Sequence, residues 1–231
     1  MNIKKLKIVR KIILSLSFII LSVFVLNACS KVNNPQEVST NVLSEYRKNL
    51  FVSKTNFCVA TFTSGQREEN YIMDGSNTKL VDFGVLTVKF DNYTSQSLPK
   101  FELKINNDLY TGEFEHNPYD NTFVFDIQKQ VSDNDTLNLY LVDFDQSTLL
   151  QCCSKNWKIN YKQAHTIFTE KYKTEITSHT TDNVLKGEVY IKIVSDDKDL
   201  KNFYWYVLLV CQNGDMYSSL IDVNSGEIVQ N

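Results

Sequence analysis

A cysteine follows a short apolar run near the N-terminus, where its thiol could take part in chemistry at a cleavage point. The run covers residues 12–26 and comes after five Lys and Arg residues. Ala28, a small residue, directly precedes Cys29. Basic residues, an apolar stretch and then a small residue are typical of a secretory signal, which is removed on export. The sequence therefore predicts that residues 1–28 are a signal peptide.

The four residues Leu26-Asn27-Ala28-Cys29 resemble the lipobox of bacterial lipoproteins. In that family the cysteine thiol receives diacylglycerol, and cleavage leaves the lipidated cysteine as the new N-terminus. The resemblance implies lipidation of Cys29 and a protein anchored by lipid to the bacterial cell membrane, on the extracytoplasmic side. Residues 29–37 would then be a polar, lipidated tether. The alternative is an ordinary signal peptide, or an uncleaved anchor, with a cysteine there by chance.

The other chemistry-bearing side chains form no recognisable catalytic or metal-binding pattern. The three histidines lie far apart, and none has a neighbour at metal-binding spacing: His116, His165 and His179. The motifs H-E-x-x-H, G-x-S-x-G, Walker A and G-x-G-x-x-G do not occur in the sequence. We therefore predict no catalytic residue, no metal site, no cofactor-binding residue and a protein that is not an enzyme.

Four cysteines remain besides Cys29: Cys58, Cys152, Cys153 and Cys211. They form no C-x-x-C pair and no zinc-binding spacing. An exported protein can form disulfides, so a bond from Cys58 to Cys152 or Cys153 stays open. Because Cys58 and Cys211 lie inside apolar runs, we interpret both as buried small hydrophobes.

Acidic and tyrosine residues support an alternative function at the cell wall. Two carboxylates about 5–9 Å apart can hydrolyse a glycosidic bond, and aromatic rings can pack against sugars. The acidic pairs are Asp133 with Asp135 and Asp143 with Asp145, and the candidate tyrosines are Tyr110, Tyr119, Tyr140, Tyr204, Tyr206 and Tyr217. On a strand, the last acidic pair would point the same way. Acidic turn residues and packed tyrosines are the simpler interpretation.

The composition excludes two classes of partner. Five of the 24 basic residues and none of the 27 acidic residues lie in 1–28, so residues 29–231 carry a net charge of −8. Phosphate binding needs a cluster of Lys and Arg, so an acidic body without one indicates that nucleic acid is not a partner. Adhesion to anionic lipid is disfavoured for the same reason, and membrane attachment would depend on the lipid alone.

A helix is predicted immediately after the tether. Apolar residues recur near helical spacing over 38–52, at Val38, Val42, Leu43, Tyr46 and Leu50.

Short strands are predicted from about residue 56. Apolar and polar residues alternate with a period of two, and clusters of Asn, Asp, Gly and Pro separate the segments. The predicted strands cover residues 57–63, 85–90, 101–105, 109–114, 122–127, 136–144 and 148–152. Antiparallel strands of this length and spacing indicate a β-sandwich domain over 53–155.

A second unit is predicted over 157–231, as a helix followed by an antiparallel sheet. Asn160 and Gln163 form a capping-box pattern, and an apolar stripe continues to about Glu175. Strands follow at 185–194, 203–211, 216–223 and 227–230. Tight turns are marked by Asn213-Gly214 and by Asn224-Ser225-Gly226. The fold class is therefore mainly β, in an α+β arrangement.

Three features occur together in 157–231: the capped helix, Trp205-Tyr206-Val207, and the hairpin Ile221-Asp222-Val223-Asn224-Ser225-Gly226-Glu227-Ile228. Together they resemble a PepSY domain, in which a hairpin of the form hydrophobic-Asp-x-x-x-Gly-Glu-hydrophobic closes an antiparallel sheet packed on one helix. PepSY domains occur in secreted bacterial proteins, including metallopeptidase propeptides, and are thought to inhibit or modulate peptidases. The resemblance implies a non-enzymatic domain without catalytic residues.

These observations predict a non-enzymatic envelope lipoprotein that binds a peptidase or another envelope protein, and inhibits or modulates it. The edge of the final strand, 227–230, is the predicted place for a partner's extended peptide to bind. One alternative is a surface hydrolase or binder acting on cell-wall glycan through acidic and tyrosine residues. A passive structural component of the envelope is another.

Overall fold

The computed structural model describes residues 43–70, 78–94, 97–195 and 200–230 of the 231-residue chain. The predicted signal peptide 1–28, Cys29 and the tether 29–37 lie outside the described residues. Strands make up most of the described chain, so the prediction of a mainly β fold is confirmed.

The elements follow one another in a long run of strands with two helices between β9 and β10. The strands are β1 (Leu43–Lys54), β2 (Cys58–Glu68), β3 (Leu80–Phe90), β4 (Lys100–Ile105), β5 (Asp108–Glu113), β6 (Glu115–Asn117), β7 (Thr122–Ile127), β8 (Leu137–Leu141), β9 (Gln146–Cys152), β10 (Thr180–Thr181), β11 (Val184–Leu185), β12 (Gly187–Ser195), β13 (Phe203–Cys211), β14 (Met216–Asp222) and β15 (Ile228–Gln230). The helices are α1 (Tyr161–Lys171) and α2 (Lys173–Ser178), with 3₁₀ turns at Val142–Phe144 and Ser154–Asn156.

Thirteen of these strands form one sheet, in the order β15-β14-β13-β12-β1-β2-β3-β7-β6 with a branch at β1. In the branch, β9 pairs with β1, β8 with β9, β4 with β8, and β5 with β4. Every pairing between described strands is antiparallel except that of β1 with β12.

The prediction of a helix over 38–52 is wrong from Leu43 onward, where the chain forms β1. From Leu43 onward the chain is extended, with buried side chains on both faces. Two irregularities in register, between Leu43 and Glu45 opposite β12 and between Arg47 and Asn49 opposite β2, interrupt the alternation of faces. Three polar residues are also buried: Ser44, Glu45 and Asn49. The apolar residues that remain therefore recur at intervals that imitate a helix.

The two predicted domains share β1. Its first half pairs in parallel with β12, and Phe51 and Val52 in its second half pair with β9. The opposite edge of β1 pairs with β2 along nearly its whole length. The segments 53–155 and 157–231 thus contribute strands to one sheet, and the described residues belong to one compact unit.

A large apolar core is formed by residues between Phe51 of β1 and Leu150 of β9. The chain passes from β5, which pairs with β4, to β6, which pairs with β7, at the fully buried Phe114. The core side chains come from β1, β2 and β3 and from β4 and β8 of the branch. They are Phe51, Ala60, Phe62, Leu86, Val88, Phe90, Phe101, Leu103, Ile105, Leu137, Leu139 and Leu141. Burying one large apolar side chain completely contributes about 1.5–3 kcal/mol. This core therefore supplies much of the driving force for folding.

The predicted capping box at the start of α1 is present. The Asn160 side chain accepts hydrogen bonds from the backbone N–H groups of Lys162 and Gln163, at 3.0 and 3.1 Å. The Gln163 side chain accepts one from the Asn160 N–H at 2.9 Å. The prediction of one helix to about Glu175 is only partly right, because α1 ends at Lys171 and α2 follows.

We expect Gly65→Ala to destabilise the protein strongly, because β2 approaches β1 closely at this glycine. A Cβ atom at position 65 would lie 1.9 Å from the carbonyl oxygen of Tyr46, so the two strand backbones would have to separate. Inserting an atom into such a contact costs about 1–3 kcal/mol or more. Urea unfolding measures the change. Gly112→Ala is the control, since its nearest neighbour would be 3.5 Å away. Equal stability of the two variants would contradict this account.

Candidate functional site

The candidate site is the edge of the C-terminal sheet, formed by β15 and the first half of β14. Among the described strands β15 pairs with β14 alone, at the end of the strand order. The strand β15 pairs only with Leu220 and Ile221 of β14, so residues 216–219 of β14 have no described strand on that side. The predicted edge at 227–230 is therefore present, and β14 extends it. The backbone groups of such an edge can bond to an additional strand.

A rigid turn positions β15. The Asp222 carboxylate accepts hydrogen bonds from the N–H groups of Asn224, at 2.9 Å, and Ser225, at 2.7 Å. Gly226 follows at φ 77°, and its N–H donates to the Asp222 carbonyl at 3.0 Å. The N–H of Ser225 is the main cause that lowers the pKa of Asp222. The Asp and Gly that carried the family resemblance are thus the residues that form this turn.

Side chains from the helical segment reach the edge of β14. The Tyr172 hydroxyl, just after α1, donates to the Ser218 carbonyl at 2.7 Å. The Lys171 ammonium lies 3.3 Å from the Ser219 hydroxyl and 4.8 Å from the ring centre of Tyr172. One edge carbonyl is therefore already hydrogen-bonded, and a positive charge stands beside it.

A polar group lies at the start of β14. The Nε2 atom of His179 is 3.3 Å from the Asp215 carboxylate and 3.4 Å from the Tyr217 hydroxyl. Burial and the nearby Asp215 raise the pKa of Tyr217. His179 is 16% exposed and Asp215 53% exposed, so these groups can still meet a partner at the rim of the edge.

The predicted strand geometry of Asp143 and Asp145 is wrong. Asp143 and Asp145 lie in and after a 3₁₀ turn, not on a strand, because β8 ends at Leu141 rather than at 144. Asp143 accepts a hydrogen bond from the Lys100 N–H at 2.7 Å, and Asp145 accepts one from the Tyr140 hydroxyl at 2.8 Å. Asp143 therefore connects this turn to the start of β4, and Asp145 connects it to the end of β8.

The other acidic pair also has turn partners. Asp135 accepts from the Ser132 N–H at 2.7 Å and from the Asn106 side chain at 2.8 Å, while Asp133 contacts the Ser132 hydroxyl at 3.2 Å. Within the described ranges, no three His, Cys, Asp or Glu residues are arranged to hold a metal ion.

The candidate tyrosines come from several different elements. They are distributed over β5, β8, β13, β14 and the turn before β7: Tyr110, Tyr140, Tyr204, Tyr206, Tyr217 and Tyr119. Tyr119 is 97% exposed.

Sequence reasoning missed an aromatic cluster where the chain turns between β1 and β2, between β3 and β4 and between β8 and β9. We call it the aromatic end, and its members are Phe57, Phe90, Tyr93, Phe123 and Phe144. Phe144 stacks on Phe90 with ring centres 4.8 Å apart and on Phe57 at 5.3 Å. Phe57, Tyr93 and Phe144 are half-buried. The only sequence signal is that these rings stand at strand ends, far apart along the chain.

The described cysteines are free thiols, so the disulfide left open from Cys58 to Cys152 or Cys153 is not formed. Cys58 and Cys211 are buried, as interpreted from the sequence. Burial raises the pKa of both thiols, which disfavours the reactive thiolate.

The other two histidines, His165 and His116, are not part of the group formed by His179, Asp215 and Tyr217. His165 lies on α1, where burial lowers its pKa and favours the neutral ring. The exposed His116 contacts the Asn121 side chain at 2.9 Å.

No family model, curated protein or solved structure matches this chain. The PepSY-like domain over 157–231 therefore stays a prediction. The same holds for the lipobox at Leu26-Asn27-Ala28-Cys29. Among the described helices, none has the length and apolar character needed to cross a membrane.

We expect Asp222→Asn to lower stability by about 1 kcal/mol at neutral pH, because charged acceptors make stronger hydrogen bonds than neutral ones. The lowered pKa of Asp222 means that its contribution is complete above the ordinary carboxylate value of about 3.9 and is lost as pH falls through the lowered value. The difference between wild type and variant should therefore shrink below about pH 4. Urea unfolding across this range measures it.

The matched control is Asp91→Asn, an exposed aspartate just beyond β3. A difference for Asp222→Asn that stays constant down to pH values well below the ordinary carboxylate pKa would show that the Asp222 charge does not stabilise the turn.

Proposed function

We propose that this protein is a non-enzymatic cell-envelope lipoprotein that binds a peptidase or another envelope protein and modulates its activity. The observation that carries the proposal is the position of β15 at the end of the sheet. Such an edge suits an extended segment of a partner protein, which would add to the sheet as one more strand.

The backbone of β15 is oriented for this role. The carbonyl of Glu227 accepts a hydrogen bond from the Asp222 N–H at 2.9 Å, so this carbonyl points toward β14. Successive backbone groups of a strand point to opposite sides. The N–H of Ile228 therefore points to the outer edge, where a partner strand would accept its hydrogen bond. The turn at Asp222 keeps this donor in place without a partner, which lowers the entropy lost on binding.

The location of the protein rests on the lipobox resemblance. A lipid on Cys29 would hold the body outside the cytoplasmic membrane, where secreted peptidases act. The acidic body disfavours electrostatic adhesion to anionic lipid, so the sheet edge would stay available to a protein partner.

We expect Cys29→Ser to abolish labelling of the protein with palmitate in growing cells and to release it from the membrane fraction. A serine hydroxyl at this position has no thiol to accept lipid. Cell fractionation and labelled fatty acid measure both effects, with Cys153→Ser as the control cysteine. Unchanged labelling of Cys29→Ser would refute the anchor.

We expect Ile228→Pro to reduce capture of the partner about tenfold, because proline removes the outward N–H while leaving the Asp222–Glu227 hydrogen bond. One backbone hydrogen bond and its unpaired acceptor are worth about 1–2 kcal/mol. Cross-linking and pull-down from intact cells measure the capture. Ile228→Ala is the matched control, since it shortens the side chain but keeps the N–H.

Equal capture by Ile228→Pro and Ile228→Ala would rule out strand addition at β15. Point variants are preferable to deletion of 157–231, because that deletion would remove β12 and expose the buried β1.

A second candidate function, binding of cell-wall glycan, is favoured by the aromatic end. Its half-buried rings offer the apolar surface against which sugar rings pack. Binding of purified wall glycan that is lost in Phe57→Ala and kept in Ile228→Pro would favour this function over peptide binding. The hydrolase version loses the strand geometry that supported it, since Asp143 and Asp145 lie at a 3₁₀ turn and each accepts a hydrogen bond from another residue.

A further inference from the structure

The sequence contains a single Asn-Gly pair, Asn213-Gly214, and binding at β15 does not use it. The pair forms the turn between β13 and β14, where both residues are exposed. A Cβ atom built at position 214 would have nothing within 4 Å, so the backbone of this turn is open to its surroundings. An exposed Asn-Gly turn is a place where the chain can modify itself.

The reaction is deamidation, in which the backbone attacks the side-chain amide. The Gly214 nitrogen attacks the Asn213 Cγ atom, a new N–Cγ bond closes a succinimide ring, and the Cγ–Nδ2 bond breaks. Ammonia leaves with the proton that the Gly214 nitrogen loses. Water then opens the ring at either carbonyl and gives aspartate or isoaspartate. Glycine favours the attack, because it has no side chain in the way and its backbone is conformationally free.

Both reacting groups are held by other hydrogen bonds in the folded turn. The Gly214 N–H donates to the Cys211 carbonyl at 2.9 Å, which is the bond that closes a β-turn. The Asn213 Oδ1 atom accepts from the Asp215 N–H at 3.1 Å, and the Asn213 Nδ2 atom donates to the Asp215 carboxylate at 2.8 Å. The attack therefore requires the turn to open.

The base of the hairpin resists this opening. The Cys211 N–H donates to the Asp215 carbonyl at 2.8 Å, and Val210 pairs with Met216. The Nε2 atom of His179 lies 3.3 Å from the same Asp215 carboxylate. Exposed turns nevertheless open by local fluctuation, without unfolding of the whole chain. The reaction can therefore proceed in the folded protein, at a reduced rate.

We propose that Asn213 is a site of deamidation in the folded protein and that opening of the β13–β14 hairpin sets its rate. Asp215 acts as a positioning residue, since it holds the Asn213 amide in place at both ends. This inference goes beyond partner binding at β15 and does not depend on it.

The product changes the rim of the sheet edge irreversibly. Aspartate at position 213 replaces the Nδ2 donor by a carboxylate next to the Asp215 carboxylate, where like charges repel. Isoaspartate also brings the side-chain carbons into the main chain and lengthens the turn. Because His179 contacts Asp215, both products disturb the polar group at the start of β14. Modified chains accumulate as the protein ages.

The first test follows each asparagine by peptide mass spectrometry during incubation at neutral pH, in the folded protein and in protein unfolded in guanidinium chloride. We expect modification at Asn213 in both samples, about tenfold more slowly in the folded one, because only the open hairpin reacts. Asn224, which precedes Ser225 in the next turn, is the internal control and should react far more slowly than Asn213 in the unfolded sample.

Two outcomes of this test would overturn the proposal. A folded sample in which Asn213 stays unmodified would show that the hairpin does not react. Equal rates at Asn213 in the folded and unfolded samples would show that opening of the hairpin does not set the rate.

Asp215→Ala separates the effect of the turn from that of the Asn-Gly pair itself. It removes the carboxylate that binds Asn213 Nδ2 and keeps the backbone N–H that binds Oδ1. We expect Asn213 in the folded variant to react about threefold to tenfold faster than in wild type, as for the loss of one hydrogen bond. The two unfolded chains should react equally fast.

The matched control is Asp91→Ala, which removes an exposed carboxylate from another part of the surface and should follow wild type. Equal rates at Asn213 in folded Asp215→Ala and folded wild type would overturn the role of Asp215. The comparison of folded and unfolded wild type needs no variant, so it holds even where Asp215→Ala fails to fold.

Discussion

The pairing of β1 along both of its edges is the constraint on which the rest of the structure depends. The strand bonds to β2 on one side, and to β12 and then β9 on the other. Polar side chains on such a strand lose water from both faces and need partners inside the protein. Asn49 donates to the Val131 carbonyl at 2.5 Å, and Glu45 has Arg47 and Lys192. These contacts fix the register of β1, and with it the relation of the two segments.

Much of the fold could be predicted from the sequence, because local chemistry decides it. The strands of 53–155 follow a period of two, and the Asn160–Gln163 box starts α1. The Asn213-Gly214 hairpin forms between β13 and β14, with φ 90° at Gly214. Asn213 is not among the residues at positive φ, so the turn differs from the type I′ geometry that this pair favours. Here a correct local signal gave the right connection with a different backbone conformation.

What the sequence did not reveal depends on contacts between distant residues. The strand β1 has no clear alternation, because neighbours on both edges bury its polar and apolar residues alike. The aromatic end joins rings from positions as far apart as Phe57 and Phe144. The Ser44 hydroxyl lies 3.0 Å from Glu188, which is 144 residues away along the chain. Each of these features exists only once residues that are distant along the chain have come together, so no local pattern could indicate it.

The candidate site lies at one end of the same sheet, four strands away from β1, and its weak pairing follows from that position. From β12 outward the pairing becomes shorter: β12 pairs with β13 at nine positions, β13 with β14 at seven, and β14 with β15 at two only. Segments with few hydrogen bonds and exposed edges open most readily. A partner strand would supply hydrogen bonds where the protein has fewest, while β1 keeps the platform fixed. Rigid pairing at β1 and an incomplete edge at β15 are therefore two consequences of one sheet that is built outward from a buried strand.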